Sequence, residues 1–109
     1  MTEEAERLRR LARIAAIQRD ARLDQLRRVQ AARQASLSAL AALDRPMTEE
    51  ELPLVPGALA ALRYAGWADA RRAEINLRLA RQTALWLQAQ ADARLAFGRA
   101  DVLRRLSDG

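Results

Sequence analysis

Residues 44–57 read DRPMTEEELPLVPG, and this stretch decides how the rest of the chain is organised. Pro46, Pro53 and Pro56 fall within eleven residues and are followed directly by Gly57. Proline lacks the amide proton that a helix needs and its ring clashes with the preceding turn; glycine inside a helix carries an entropic cost. No comparable cluster of breakers occurs elsewhere in the 109 residues. The chain therefore divides into a first arm of about 43 residues, a linker at 44–57 and a second arm running to Gly109. Within the linker, Thr48 followed by Glu49, Glu50 and Glu51 has the form of a capping box and predicts a short helical turn. Leu52, Leu54 and Val55 are then available to fold over the end of a hairpin.

Both arms read as helix. Thr2 is placed to cap the first, and Glu3 and Glu4 suit the positive end of its dipole. Acid-before-arginine pairs recur four residues apart, at Glu3–Arg7, Glu6–Arg10, Asp24–Arg28, Glu74–Arg78 and Asp101–Arg105. Each adds only about 0.2–0.5 kcal/mol, but their constant order supports a helical register. The charge divides evenly: each arm carries nine arginines against five acids, and the linker one against four.

Composition narrows the function classes. Half the residues count as hydrophobic, but 25 of them are alanine, and the aromatics are only Tyr64, Trp67, Trp86 and Phe97. A thick globular core is excluded, whereas a helical pair rich in the best helix former is not. All 19 basic residues are arginine, which reads first as the codon usage of a GC-rich bacterial genome. There is no cysteine and no histidine, so thiolate chemistry, disulfides, the usual general base and the commonest metal ligands are all missing. Ser36, Ser38 and Ser107 sit without a base, Glu49–Glu51 is the sole carboxylate cluster, and no glycine-rich loop could cradle phosphate. The chain is expected to be no enzyme and to need no cofactor or metal. No apolar run is long enough to span a membrane, and the N-terminus lacks the layout of a signal peptide, so a cytoplasmic protein is expected.

The apolar pattern predicts an all-α fold: an antiparallel two-helix coiled-coil hairpin, with helix 1 at about 2–43 and helix 2 at about 58–107. In the first arm Leu8, Leu11, Ala15, Leu26, Val29, Leu40 and Leu43 share one side. In the second, Leu59, Leu62, Ala70, Ala73, Leu77, Ala80, Ala84, Leu87, Ala91 and Leu95 recur at steps of three and four. Folding at the linker then sets Leu40 against Leu62, Val29 against Ala73, Ala15 against Leu87 and Ser36 against Gly66. It also sets Arg33, which interrupts the first stripe, opposite Asp69 as an ion pair across the seam.

A second line remains on helix 2, through Ala61, Ala68, Ile75, Leu79, Trp86, Ala93 and Phe97. One seam cannot bury both lines. Ile75, Leu79, Trp86 and Phe97, edged by Arg72 and Arg94, are therefore expected to form a protein-docking surface, since aromatics with flanking arginine dominate interface energies. A homodimer in which two hairpins make a four-helix assembly would cover it. The alternative is a merged face partly covered by arginine stems. Nucleic acid is the weaker partner: Arg9-Arg10, Arg27-Arg28, Arg71-Arg72 and Arg104-Arg105 could touch phosphates, but interleaved acids break up the basic field.

The segment Ala91–Leu106, ADARLAFGRADVLRRL, resembles the C-terminal end of the FliJ-type flagellar export proteins, which with their YscO-type secretion relatives form small coiled-coil hairpins. The resemblance covers both arms in architecture and about sixteen residues in detail. It implies a non-enzymatic stalk or adaptor of a flagellar or type III export apparatus, whose partners are the export ATPase or the export gate.

Overall fold

A computed structural model of the chain describes residues 2–45 and 57–109, without the side chain of residue 58. The protein is all-α: α1 spans Glu3–Asp44 and α2 spans Ala58–Asp108, and no strand occurs among the described residues. The predicted turn at Thr48–Glu51 and the fold-over of Leu52, Leu54 and Val55 lie outside the described residues.

Each helix start has a local cause. The Ala5 amide donates to Thr2 Oγ1 at 3.2 Å, and Glu3, Glu4 and Glu6 occupy the first turn of α1. Gly57 enters α2 at φ 118°, in the left-handed region that side chains avoid, and its carbonyl accepts from the Ala61 amide at 3.5 Å. An added Cβ there would meet open space, so backbone conformation rather than room is what calls for glycine.

The helices form two compact units. Unit 2, residues 32–83, holds the end of α1 and the beginning of α2 running antiparallel. Three cross-helix contacts fix its register. Ser36 Oγ donates to Gln82 Oε1 at 2.6 Å, Arg33 Nε donates to Thr83 Oγ1 at 3.1 Å, and Arg72 Nη2 donates to Asp44 Oδ1 at 3.1 Å. Ala68 and Ile75 are buried on α2 and Ser36 on α1, with Arg33, Leu40, Leu43, Arg72, Leu79, Gln82 and Thr83 half-buried. Asp44, the last residue of α1, lies beside Arg72, and the fourteen residues 58–71 of α2 come before that point. Leu59, Leu62, Tyr64 and Trp67 are exposed on that stretch, the two rings touching at 5.8 Å between centroids.

Unit 1, residues 1–31 and 84–109, is likewise antiparallel. The Arg19 guanidinium lies 5.9 Å from the Phe97 ring centre, and Arg22 Nη1 is 3.8 Å from Asp92 Oδ2. Its buried residues are Ala15 on α1 and Ala89, Ala93, Ala96 and Ala100 on α2. Those four alanines alternate in steps of four, three and four, the spacing of a coiled-coil seam. Small side chains on the inner face let two backbones approach, and close packing then replaces side-chain bulk.

The expected pairing is corrected in two respects. Thr83, the observed neighbour of Arg33, lies fourteen residues beyond Asp69, and Gln82 lies sixteen beyond Gly66. Asp69 instead accepts from Arg72 Nη1 at 2.9 Å on its own helix. The inner face of α2 also differs. Ala73, Ala80, Ala84, Leu87, Ala91 and Leu95 are all exposed, whereas Ala68, Ile75 and Ala93 of the supposed leftover line are buried. On α1 the expected stripe does face inward except at Leu11, which is exposed.

Candidate functional site

The six residues expected to meet a partner are divided by the fold. In unit 2, Ile75 is 1% exposed and so cannot present itself to another chain in this conformation. Leu79 is half-buried, one helical turn further along the same inner face. Arg72 is also committed: its guanidinium reaches Asp69, Asp44 and the Leu43 carbonyl, the last at 3.4 Å. In unit 1, Trp86 is half-buried on the inner face. Only Arg94 and Phe97 are exposed, and with Leu23, Leu26, Gln90 and Ala93 they line an open groove of about 250 Å³. Ile75, Leu79 and Trp86 of the aromatic line need no third helix to cover them, whereas Phe97 remains exposed.

Ile14 and Ile17 of α1 are exposed, and on α2 the surface left bare is the outer side. In unit 2 it carries Ala70, Ala73, Leu77 and Ala80, one heptad-like series in which every member is exposed. In unit 1 the series runs Ala84, Leu87, Ala91, Leu95, Gly98, Val102 and Leu106, and every member is exposed. Leu87 is 56% exposed and Leu95 59%, values more usual for a polar side chain on a solvated helix. Within this series sits a notch of about 400 Å³ lined by Arg94, Leu95, Gly98, Arg99, Val102 and Leu103. Its floor is Gly98, where an added Cβ would meet nothing within 4 Å. Leu95, Gly98, Arg99 and Val102 stand at i, i+3, i+4 and i+7, the four corners that receive one side chain of a packed helix.

No family model, curated protein or solved structure matches this chain.

Several arginines are engaged within their own helix. Arg28 pairs with Asp24 at 3.0 Å, Arg71 with Glu74 at 2.9 Å, and Arg104 and Arg105 both with Asp101. A shallow groove of about 290 Å³ in unit 1 gathers Arg9, Arg13, Arg19 and Arg104 over Ala12, Ala16 and Ala100. Asp20 beside Arg19, and Asp101 and Asp108 beside Arg104, offset part of that positive field. Among the described residues no group of three or more acidic side chains could hold a metal ion, and no helix is long and apolar enough to cross a membrane. Sequence reasoning turned the leucine line of α2 inward, and Ala89, Ala96 and Ala100 belonged to neither line it drew. The signal that could have assigned them is the unbroken run of small residues at Ala89, Ala93, Ala96 and Ala100, which suits a close helix pair better than leucine does.

Proposed function

We propose that this chain is a non-enzymatic coiled-coil stalk or adaptor, which works by offering the outer face of α2 to other proteins. The setting is a flagellar or type III export apparatus in the cytoplasm, with the export ATPase as partner. One observation carries the docking role: in unit 1, α2 gives Ala89, Ala93, Ala96 and Ala100 to its own hairpin and turns Leu87 and Leu95 outward. Isolated exposed leucines are ordinary, but a continuous helical series of them is what a docking face consists of. The export setting rests on the resemblance of Ala91–Leu106, and Leu95, Gly98 and Val102 of the outer face fall inside that segment.

The test is co-purification. The tagged chain is expressed with the export ATPase and the cytoplasmic part of the export gate encoded by the same genome. Capture of the ATPase is expected, and Leu87→Glu and Leu95→Glu should abolish it while far-UV circular dichroism stays unchanged. Absence of capture at micromolar concentrations overturns the export setting. Capture unaffected by both substitutions overturns the choice of face.

A further inference from the structure

We infer that the outer face of α2 in unit 1 also pairs with the same face of a second copy of this chain, the two α2 helices running antiparallel. The inference uses the exposed face described above but not the export partner.

Three features of this face converge on it. The apolar series is unbroken from Ala91 through Leu95 and Gly98 to Val102, and the next equivalent of Gly98, Arg105, is drawn aside to Asp101 at 3.0 Å. The series contains a ready-made receptor, the Gly98 notch, and three residues before it a knob of matching kind, the exposed Leu95. An antiparallel pair that seats Leu95 of each copy over Gly98 of the other satisfies both at once. That same register sets Ala91 against Val102, with no further adjustment.

The flanks then supply an independent check, because they played no part in choosing the register. In an antiparallel two-fold pair each flank of a helix faces the identical flank of its copy. On one side of the series the charged residues are Asp92 and Arg99, and the register brings Asp92 of each copy beside Arg99 of the other. On the opposite side Arg94 meets Asp101 in the same way. Two-fold symmetry makes this four complementary contacts, with no like charges facing at these positions. Arg94 and Arg99 have no ion pair of their own among the described residues, so they are available. Asp92 gives up little, since its contact with Arg22 is long at 3.8 Å, while Asp101 already holds Arg104 and Arg105 and would add Arg94.

The experiment is analytical ultracentrifugation of the full chain from low micromolar to a few hundred micromolar, with circular dichroism as the control for folding. The wild type is expected to dimerise. Gly98→Leu fills the notch and Arg99→Glu sets two acids against two acids, so each should raise the dimer dissociation constant by about tenfold or more. Asp92→Arg combined with Arg99→Glu should restore pairing. Because the protein has no cysteine, register can be read by cross-linking: mixed Ala91→Cys and Val102→Cys chains should form a disulfide, and neither alone should. A wild type that stays monomeric throughout overturns the pairing and leaves the face to a different partner, as ATPase capture by the monomer would show. A dimer indifferent to Gly98→Leu and Arg99→Glu, or one cross-linked by Ala91→Cys alone, overturns the register.

Discussion

The same substitution placed at two alanines of α2 separates the observed seam from the leucine-lined one. Ala93 is 5% exposed on the inner face of unit 1, and Ala73 is exposed on the outer face of unit 2. Replacing either by leucine changes intrinsic helix propensity equally and slightly, so propensity cancels in the comparison. At Ala93 three additional carbons must enter a space set by alanines at 89, 96 and 100. Overpacking of this kind costs about 1–3 kcal/mol, from displaced rotamers and separated backbones. For a domain of this size that corresponds to a fall in melting midpoint of about 5–20 °C. At Ala73 the new side chain projects into solvent, and the change should stay within about 0.5 kcal/mol. The assay is thermal melting by circular dichroism at low micromolar concentration, where self-association does not contribute. Equal shifts, or a larger loss for Ala73→Leu, would refute the alanine seam and return the leucine line to the interior.

Three further outcomes are expected. Ile75→Ala should lose about 2–5 kcal/mol in urea unfolding, while Leu77→Ala, two residues on and exposed, should lose under about 0.5 kcal/mol. A double-mutant cycle of Ser36→Ala with Gln82→Ala should show coupling near 1 kcal/mol, because the 2.6 Å bond joins a buried hydroxyl to a half-buried amide. In a cycle of Arg33 with Asp69 the effects should instead add to within about 0.5 kcal/mol, since Arg33 bonds Thr83 and Asp69 bonds Arg72; coupling above that would restore the expected cross-seam pair.

Helix type, hairpin order and the inward stripe of α1 were legible because each rests on a local or strongly periodic signal. Three prolines and Gly57 mark the break, Thr2 marks a start, and Leu8, Leu26, Val29, Leu40 and Leu43 repeat at one spacing. The inner face of α2 was not legible by bulk. Both of its apolar lines have helical periodicity, and weighing leucine above alanine selects the wrong one. Alanine gives up little buried area, but it lets the helices come close, and that term depends on the partner helix rather than on the residue itself. Register was harder still. The shift of fourteen residues at Arg33 is two whole heptads, which periodicity alone cannot detect, and the sixteen at Ser36 goes with the changed inner face of α2. The polar layers decide it: Ser36 with Gln82 and Arg33 with Thr83 satisfy one another only in the observed register. The docking residues failed for the same reason as the seam, since Ile75, Leu79 and Trp86 were placed outside by elimination.

The end of α1 depends on a residue that α1 does not own. Its last turn contains no basic side chain and finishes on Asp44, an acid at the negative end of the dipole. Arg72 of α2 supplies the missing cation, bonding both the Asp44 carboxylate and the Leu43 carbonyl. The final carbonyls of a helix otherwise look to water, so this turn is held by a neighbour rather than by its own sequence. Amide exchange at Ala41–Asp44 should therefore report separation of the helices in unit 2 before any global unfolding, and Arg72→Gln should accelerate it there while leaving the middle of α1 protected.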